Sequence, residues 1–403
     1  MQYRTMPNSS EKLSALGFGC MRLPTRIGAK GSPISTINKE EALRLIRLAI
    51  DNGVNYLDTA HMYHLGASEN FLGEYALKDG YREKVNLATK LPCMFINKKT
   101  SIEEIFTKQL AKLQVEYFDY YLLHALDGKA WDKMLSFGIV EFMDRIRQQG
   151  KARHMGFSFH GTREDFKRIV DAYSFEFAQV QYNILDEHFQ AGIEGIEYAH
   201  SKGMGIIVME PLRGGSLVQK IPAQVQKIYD NAPVKRSPAE WALRWIWNNP
   251  AITVVLSGMN REDNILENIR VASDALPNSL SPGDLDLIEK ARKTYLLQVG
   301  CTGCAYCMPC PAGIDIPSAF KNLNNYHLFS KFGAKINHMR KAGKQAEDGQ
   351  AHWTTACQDC GACEKKCPQG IRIREVFKQV RRDLEGPGIR AMAKVVGMVG
   401  KKS

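Results

Sequence analysis

Short apolar runs alternate along the first 280 residues with longer segments whose apolar positions recur at i, i+3 and i+4, the patterns of strands and amphipathic helices. Runs at 16–21, 54–60, 85–90, 118–124, 154–159, 177–182, 205–210 and 252–257 predict eight strands. A helix opens at Asn38 with Glu41 as a capping pair, places Ala42, Leu45, Ile46, Ala49 and Ile50 on one face, and ends at Gly53. Further helices are predicted over 68–77, from Ser101 onward, and over 138–149, 162–173, 190–202 and 238–248. Eight strand–helix units in this length argue for a closed (β/α)8 TIM barrel, with an open doubly wound sheet as the alternative. Gly17 and Gly19 begin a G-x-G pattern, but Arg22 stands where a third glycine belongs and Pro24 follows, so there is no dinucleotide fingerprint.

After a helix over 281–297 the composition changes. Two of the ten cysteines, Cys20 and Cys93, precede residue 300, and eight follow it. Expected domains are therefore a barrel over 1–300, an α-rich cysteine domain with a helical insert over 301–385, and a flexible basic tail over 386–403. From Cys301 onward, 17 Lys or Arg face 8 Asp or Glu, which accounts for most of the formal charge of +11. Basic residues near bound thiolates offset their negative charge; the other reading is a docking face for an acidic redox partner protein. Nucleic acid is not expected, because no aromatic-interleaved basic stripe is present.

The cysteines fall in two sets. Cys301, Cys304, Cys307 and Cys310 precede Pro311, while Cys357, Cys360, Cys363 and Cys367 precede Pro368. Three thiols spaced by three, a fourth soon after and then proline is the pattern of bacterial-type ferredoxins, and it predicts two [4Fe–4S] clusters. Structural zinc also suits paired C-x-x-C, but it does not account for the third evenly spaced cysteine. The second set has three residues before its last cysteine and the first has two. In two-cluster ferredoxins the fourth thiol serves the opposite cluster, so the expected sets are Cys301, Cys304, Cys307 with Cys367, and Cys357, Cys360, Cys363 with Cys310.

Polar residues gather where strands end. Asp58 and Tyr63 close the second run, Lys90 the third and His124 the fourth, which puts four complementary groups at one face of the sheet. Each alone is also an ordinary strand-end solvent contact. D-T-A-x-x-Y, A-T-K and L-L-H resemble the aldo-keto reductase family over about residues 13 to 275. The resemblance implies that Tyr63 is the general acid, that Lys90 lowers its pKa, that Asp58 pairs with Lys90, and that His124 orients a substrate carbonyl. It also implies NADPH or NADH. Ser158, Gln181 and Asn183 would hold the nicotinamide amide, and the P-L-R-G-G loop with Pro211, Leu212 and Gly214 would hold the pyrophosphate. Ser257, Gly258, Asn264 and Asn268 would take the adenosine end. Met209 stands where the family often stacks an aromatic, and only Arg261 lies near the usual 2′-phosphate position, with Met259 and Asn264 in the other places. Cys20 and Cys93 read as small buried packing groups.

The expected function is NAD(P)H-dependent reduction of a small-molecule carbonyl, or the reverse oxidation of an alcohol. Hydride transfer needs no one-electron carrier, so two alternatives stay open: an electron-transfer protein coupling the barrel substrate or a flavin to a partner, and a redox-sensing protein with little turnover. With no apolar leader and no span of about 20 apolar residues, a cytoplasmic protein without a membrane partner is expected.

Overall fold

The computed structural model describes residues 1–7, 9–26, 36–219, 221–296, 298–343 and 351–399. Eight parallel strands close a barrel in chain order: β1 (Leu16–Gly19), β2 (Tyr56–Asp58), β3 (Asn86–Leu91), β4 (Phe118–Leu126), β5 (Ala152–Phe159), β6 (Phe177–Gln181), β7 (Gly205–Met209) and β8 (Ile252–Ser257). Closure is made by β8 on β1, where Val255 pairs with Leu16 and Ser257 with Phe18. Each strand is buried on both faces, and the near-continuous apolar runs supply both the barrel interior and the helix-facing layer.

Tyr56, Ala88, Tyr120, Leu122, Phe177, Ile207, Val254 and Leu256 fill the barrel interior. An N-terminal hairpin of Tyr3–Thr5 with Lys12–Ser14 adds Met6 and Leu13 to this cluster. Gly205, at the start of β7, leaves the room that Met6 takes; a Cβ there would lie 2.6 Å from its Cγ. The N-terminal end is thereby plugged, and chemistry is left to the carboxyl ends of the strands. The helix Lys39–Asp51 buries the five residues predicted for its inner face.

The first two strands are shorter than their apolar runs, whereas Phe118–Leu126 and Ala152–Phe159 outrun theirs. The first stops at Gly19 and turns into a 3₁₀ segment Cys20–Arg22, and the second is only Tyr56–Asp58, because Asn55 is occupied in bonding Ser14 N at 2.7 Å. Helices at Gly128–Ser136 and Ala223–Asp230 were not foreseen.

The chain gathers into two compact units. One comprises Met1–Asn183, Gln190–Gly214 and Ala239–Ser281; the other comprises Ile184–Phe189, Gly215–Pro238 and Pro282–Ser403. The division thus differs from a single cut at residue 300. In the second unit Arg292 pairs with Glu187 at 3.0 Å and Lys321 with the buried Asp186 at 3.2 Å, which fastens the segment after β6 to the helices Pro282–Tyr295 and Ile316–Leu328. Its core is Val299, Ile314, Ile316, Phe320, Leu323, Ile373, Phe377, Val380 and Leu384. The insert forms the helices Ile316–Leu328 and Lys331–Ala342. The stretch expected as a frayed tail is instead helical over Pro387–Val399, with proline at the first position and Arg390 paired to the buried Glu385 at 3.2 Å. No described helix is long and apolar enough to cross a membrane.

Candidate active site and cysteine centres

Lys90 is fully buried at the end of β3, and its three ammonium protons have three acceptors. They are Asp58 Oδ1 at 2.7 Å, the Thr59 carbonyl at 2.7 Å and the Tyr63 hydroxyl at 3.2 Å. Burial pushes Asp58 upward and also opposes the Lys90 charge, but the carboxylate beside it outweighs burial and leaves Lys90 above its ordinary value. The two ionise as a pair. Burial likewise lifts the Tyr63 phenol above 10, while Lys90 pulls it down, so the expected net lowering is not what this geometry gives. Tyr63 therefore keeps its proton at neutral pH.

His124, on β4, meets Tyr63 edge to face with ring centroids 6.2 Å apart. Burial first, then the positive field of Lys90, holds its imidazole down to about 3. It is neutral at physiological pH and has one N–H to give. Behind the four residues is a buried polar network. Gln109 donates to the Lys90 carbonyl at 3.0 Å and to Glu69 at 2.6 Å, Thr89 donates to Glu69 at 2.8 Å, and Tyr121 donates to Gln109 at 2.8 Å. A fully buried carboxylate here holds the β3 terminus, and hence Lys90, in register. Cys20 and Cys93 are buried packing groups, as their neighbours imply.

The candidate cofactor residues occupy the next strand ends. Ser158 is buried on β5 and accepts from Ala125 N at 2.7 Å, which leaves its own hydroxyl proton to donate. Gln181 closes β6 opposite Met209 on β7, and the buried Asn183 follows it, donating to the Glu210 carbonyl at 3.2 Å. Pro211 is buried, Leu212 half-buried, and Gly214 exposed with φ of 68°. Beyond β8, Asn268 donates to Ser257 at 3.1 Å and Gly258 is exposed. Asn264 lies one turn before Asn268 on the helix Glu262–Asp274. Arg261 grips Asp263 through Nε at 3.0 Å and Nη2 at 2.7 Å, so the cation nearest the adenosine end is already neutralised.

The eight C-terminal thiols surround two cavities. Cys301, Cys304, Cys307 and Cys367 line one. Cys310, Cys357, Cys360 and Cys363 line the other, which Cys307 also touches. The two tripled motifs share a backbone: Gly303 and Ala305 (φ 79° and 63°) flank Cys304 as Asp359 and Gly361 (φ 58° and 69°) flank Cys360. Two left-handed residues around the middle cysteine curl each loop so that three thiols face inward. Among the described residues no three His, Cys, Asp or Glu side chains converge on a single ion. Ile316 lines both cavities.

Residues 15–290 match the pattern of the "Aldo/keto reductase family", more than half of the chain. The chain belongs to the aldo/keto reductase family. Residues 300–371 match the "4Fe-4S dicluster domain". Similar proteins include "Uncharacterized oxidoreductase YqkF" of Bacillus subtilis (24% identical; 68% of this chain, 92% of the relative) and "Protein tas" of Escherichia coli (25%; 73% and 99%). The solved "aldo-keto reductase AKR11C1 from Bacillus halodurans (holo form)" superposes with a TM-score of 0.60 at 26% identity, covering 72% of this chain and 96% of that one. The molecule is an aldo/keto reductase family oxidoreductase carrying an iron–sulfur domain.

Within this family member, the structure brings Asp58, Tyr63, Lys90 and His124 together at one barrel end and gathers the C-terminal cysteines around two cavities, with Cys307 lining both. Sequence reading missed Glu69 and Gln109 behind Lys90. Their signal was faint: a carboxylate and an amide on the inner faces of helices.

Proposed function

We propose that the barrel reduces a small-molecule carbonyl with NADPH or NADH, and that Tyr63 is the acid. The observation that carries this reading is the Tyr63 hydroxyl at 3.2 Å from an ammonium already fixed by Asp58. The nicotinamide, when bound, supplies the hydride. Tyr63 keeps a proton to give to the carbonyl oxygen, and Lys90 stabilises the phenolate left behind. Neutral His124 donates a hydrogen bond to the same oxygen as negative charge grows on it. Ser158, Gln181 and Asn183 would orient the carboxamide, and the loops at Gly214 and Gly258 the phosphates. Met21, Leu65, Met94 and Phe95, at 55–81% exposure on loops after β1, β2 and β3, offer the substrate an apolar rim.

We further propose two [4Fe–4S] clusters in the crossed arrangement, one on each set of four cavity-lining thiols. A cytoplasmic setting fits, because the thiols must stay reduced to bind iron.

Electron transfer to a partner protein is the second reading. It is favoured by the exposed Cys360 beside Lys366 at the second cavity. The test is anaerobic mixing of the iron-loaded protein with NAD(P)H and a panel of aldehydes and ketones. One alcohol formed per NAD(P)H, with cluster absorbance unchanged, is expected. Cluster bleaching as fast as turnover would replace the first reading by the second.

A further inference from the structure

Arg22 was set aside as the residue that spoils a glycine fingerprint, yet its position in the fold is specific. β1 lies beside β8, and the chain leaving it runs tightly over the end of that strand; a Cβ on Gly19 would be 3.5 Å from the Ser257 carbonyl oxygen. The turn Cys20–Arg22 is anchored just beyond by Leu23 N, which donates to His64 Nε2 at 3.2 Å. Arg22 is thereby laid across two other loops. Its stem covers Gly258, where a Cβ would sit 3.1 Å from Arg22 Cβ and 3.2 Å from Cδ. Its guanidinium reaches Gly214, where a Cβ would sit 2.7 Å from Nη2.

The loops after the seventh and eighth strands are where barrels of this kind hold phosphate. An exposed arginine commonly finds a carboxylate; among the described residues Arg22 makes no ion pair and no side-chain hydrogen bond. A cation with five donors is therefore held over two glycine loops with nothing to neutralise it. Arg261, on the loop after β8, is committed to Asp263, and Arg213 precedes Gly214 on the loop after β7. Glycine at 214 and 258 is what keeps the guanidinium seated, since a side chain at either would push it out.

We propose that Arg22 is a ligand for the pyrophosphate of the nicotinamide dinucleotide, gripping it from the β1 side. The inference rests on the cofactor reading above. The guanidinium fork matches two phosphate oxygens, and a pyrophosphate bridging the Gly214 and Gly258 loops would replace the solvent that Arg22 now faces. The contact is to the phosphates common to both cofactors, so it strengthens NADH and NADPH alike and leaves the choice between them untouched.

The experiment is calorimetric titration of the iron-loaded protein and its Arg22→Met variant with NADH, NADPH and ADP-ribose, which has the pyrophosphate but no nicotinamide. Arg22 is exposed and unpaired, so the variant should fold; unchanged circular dichroism and cluster absorbance check this. The expected result is a loss of about 10–100-fold for all three ligands by the same factor, the scale of a charge-assisted hydrogen bond, with Arg22→Lys recovering part of it. In turnover KM for the nicotinamide should rise while kcat holds. Equal affinity in wild type and variant would overturn the proposal. So would a loss confined to NADPH, since Arg22 would then read the 2′-phosphate. Failure of the wild-type protein to bind any of the three would instead remove the cofactor reading itself.

Discussion

Replacing Lys90 by Met keeps the apolar stem and deletes the ammonium that three acceptors share. Asp58, 2% exposed, would be left as an unpaired carboxylate in an apolar barrel mouth, and it would take a proton rather than remain charged. Protonating a carboxyl of ordinary pKa at pH 7 costs about 4 kcal/mol, within the ~3–5 kcal/mol typical of a broken buried ion pair. For a domain this large that is roughly 10 °C in Tm. The pH dependence is the sharper signature. In the variant the folded-state pKa of Asp58 is raised above its unfolded value, so the protonated fold is stable in acid and loses stability as pH rises toward that pKa. The gap to wild type should widen by about 1.4 kcal/mol per pH unit between pH 5.5 and 7.5. Thermal unfolding of the barrel transition in anaerobic, iron-loaded protein measures it. Asp58→Asn with Lys90→Met should recover most of the stability and none of the activity, because both partners are then neutral. A gap that stays constant with pH would refute the reasoning, since it would mean that Asp58 is not the group left stranded.

Tyr63→Phe removes the proposed acid with little change of shape, so dinucleotide affinity should hold while carbonyl reduction falls about 10²–10⁴-fold; steady-state rates within about threefold of wild type would exclude Tyr63. Because His124 is held down to about 3 and Tyr63 is raised above 10, kcat/KM for reduction should show no break near ~6.5 and should decline only on the alkaline side, where Tyr63 ionises; a limb near ~6.5 would return a titrating role to His124. For the cysteines, the pair Cys301→Ala and Cys310→Ala is decisive. Crossed ligation predicts that the double variant damages both clusters, whereas motifs that each keep their own cluster predict damage to one, and iron analysis with low-temperature EPR separates the two.

The barrel was legible because its strands are buried on both faces and read as apolar runs, and Asp58, Lys90 and His124 were legible because each ends such a run. Tyr63 lies beyond its strand, in a turn where His64, Leu65 and Gly66 take left-handed φ, and no periodicity marks it; its place just past a strand end and the family resemblance do. The hairpin at residues 3–14 escaped notice because three-residue strands have no measurable period. Arg22 could not be placed from sequence at all, since its neighbours Gly214 and Gly258 come from strands that reach β1 only when the barrel closes. The same non-local logic moved the division between compact units: Asp186 and Glu187 look like an ordinary barrel loop until Lys321 and Arg292 are brought to them. The helix Pro387–Val399 was misread because its glycines and lysines suggested fraying, while its proline start favoured a helix.

Electron number sets how the two halves of the chain relate. In the proposed reaction two electrons move as hydride and one proton follows from Tyr63, with no half-reduced substrate to stabilise. Iron–sulfur clusters exchange one electron at a time, and those with potentials near ~−400 mV lie uphill of a nicotinamide donor. A direct route from nicotinamide to cluster would therefore need both a one-electron intermediate and a driving force, and the barrel residues supply neither. The burial pattern of the cysteines points the same way. Cys360 is exposed while the other seven C-terminal thiols are half-buried, and Lys366 lines the cavity that Cys360 borders. A cluster facing outward can exchange electrons with an external carrier without passing them through the tetrad, and carbonyl reduction can proceed whichever state the clusters are in.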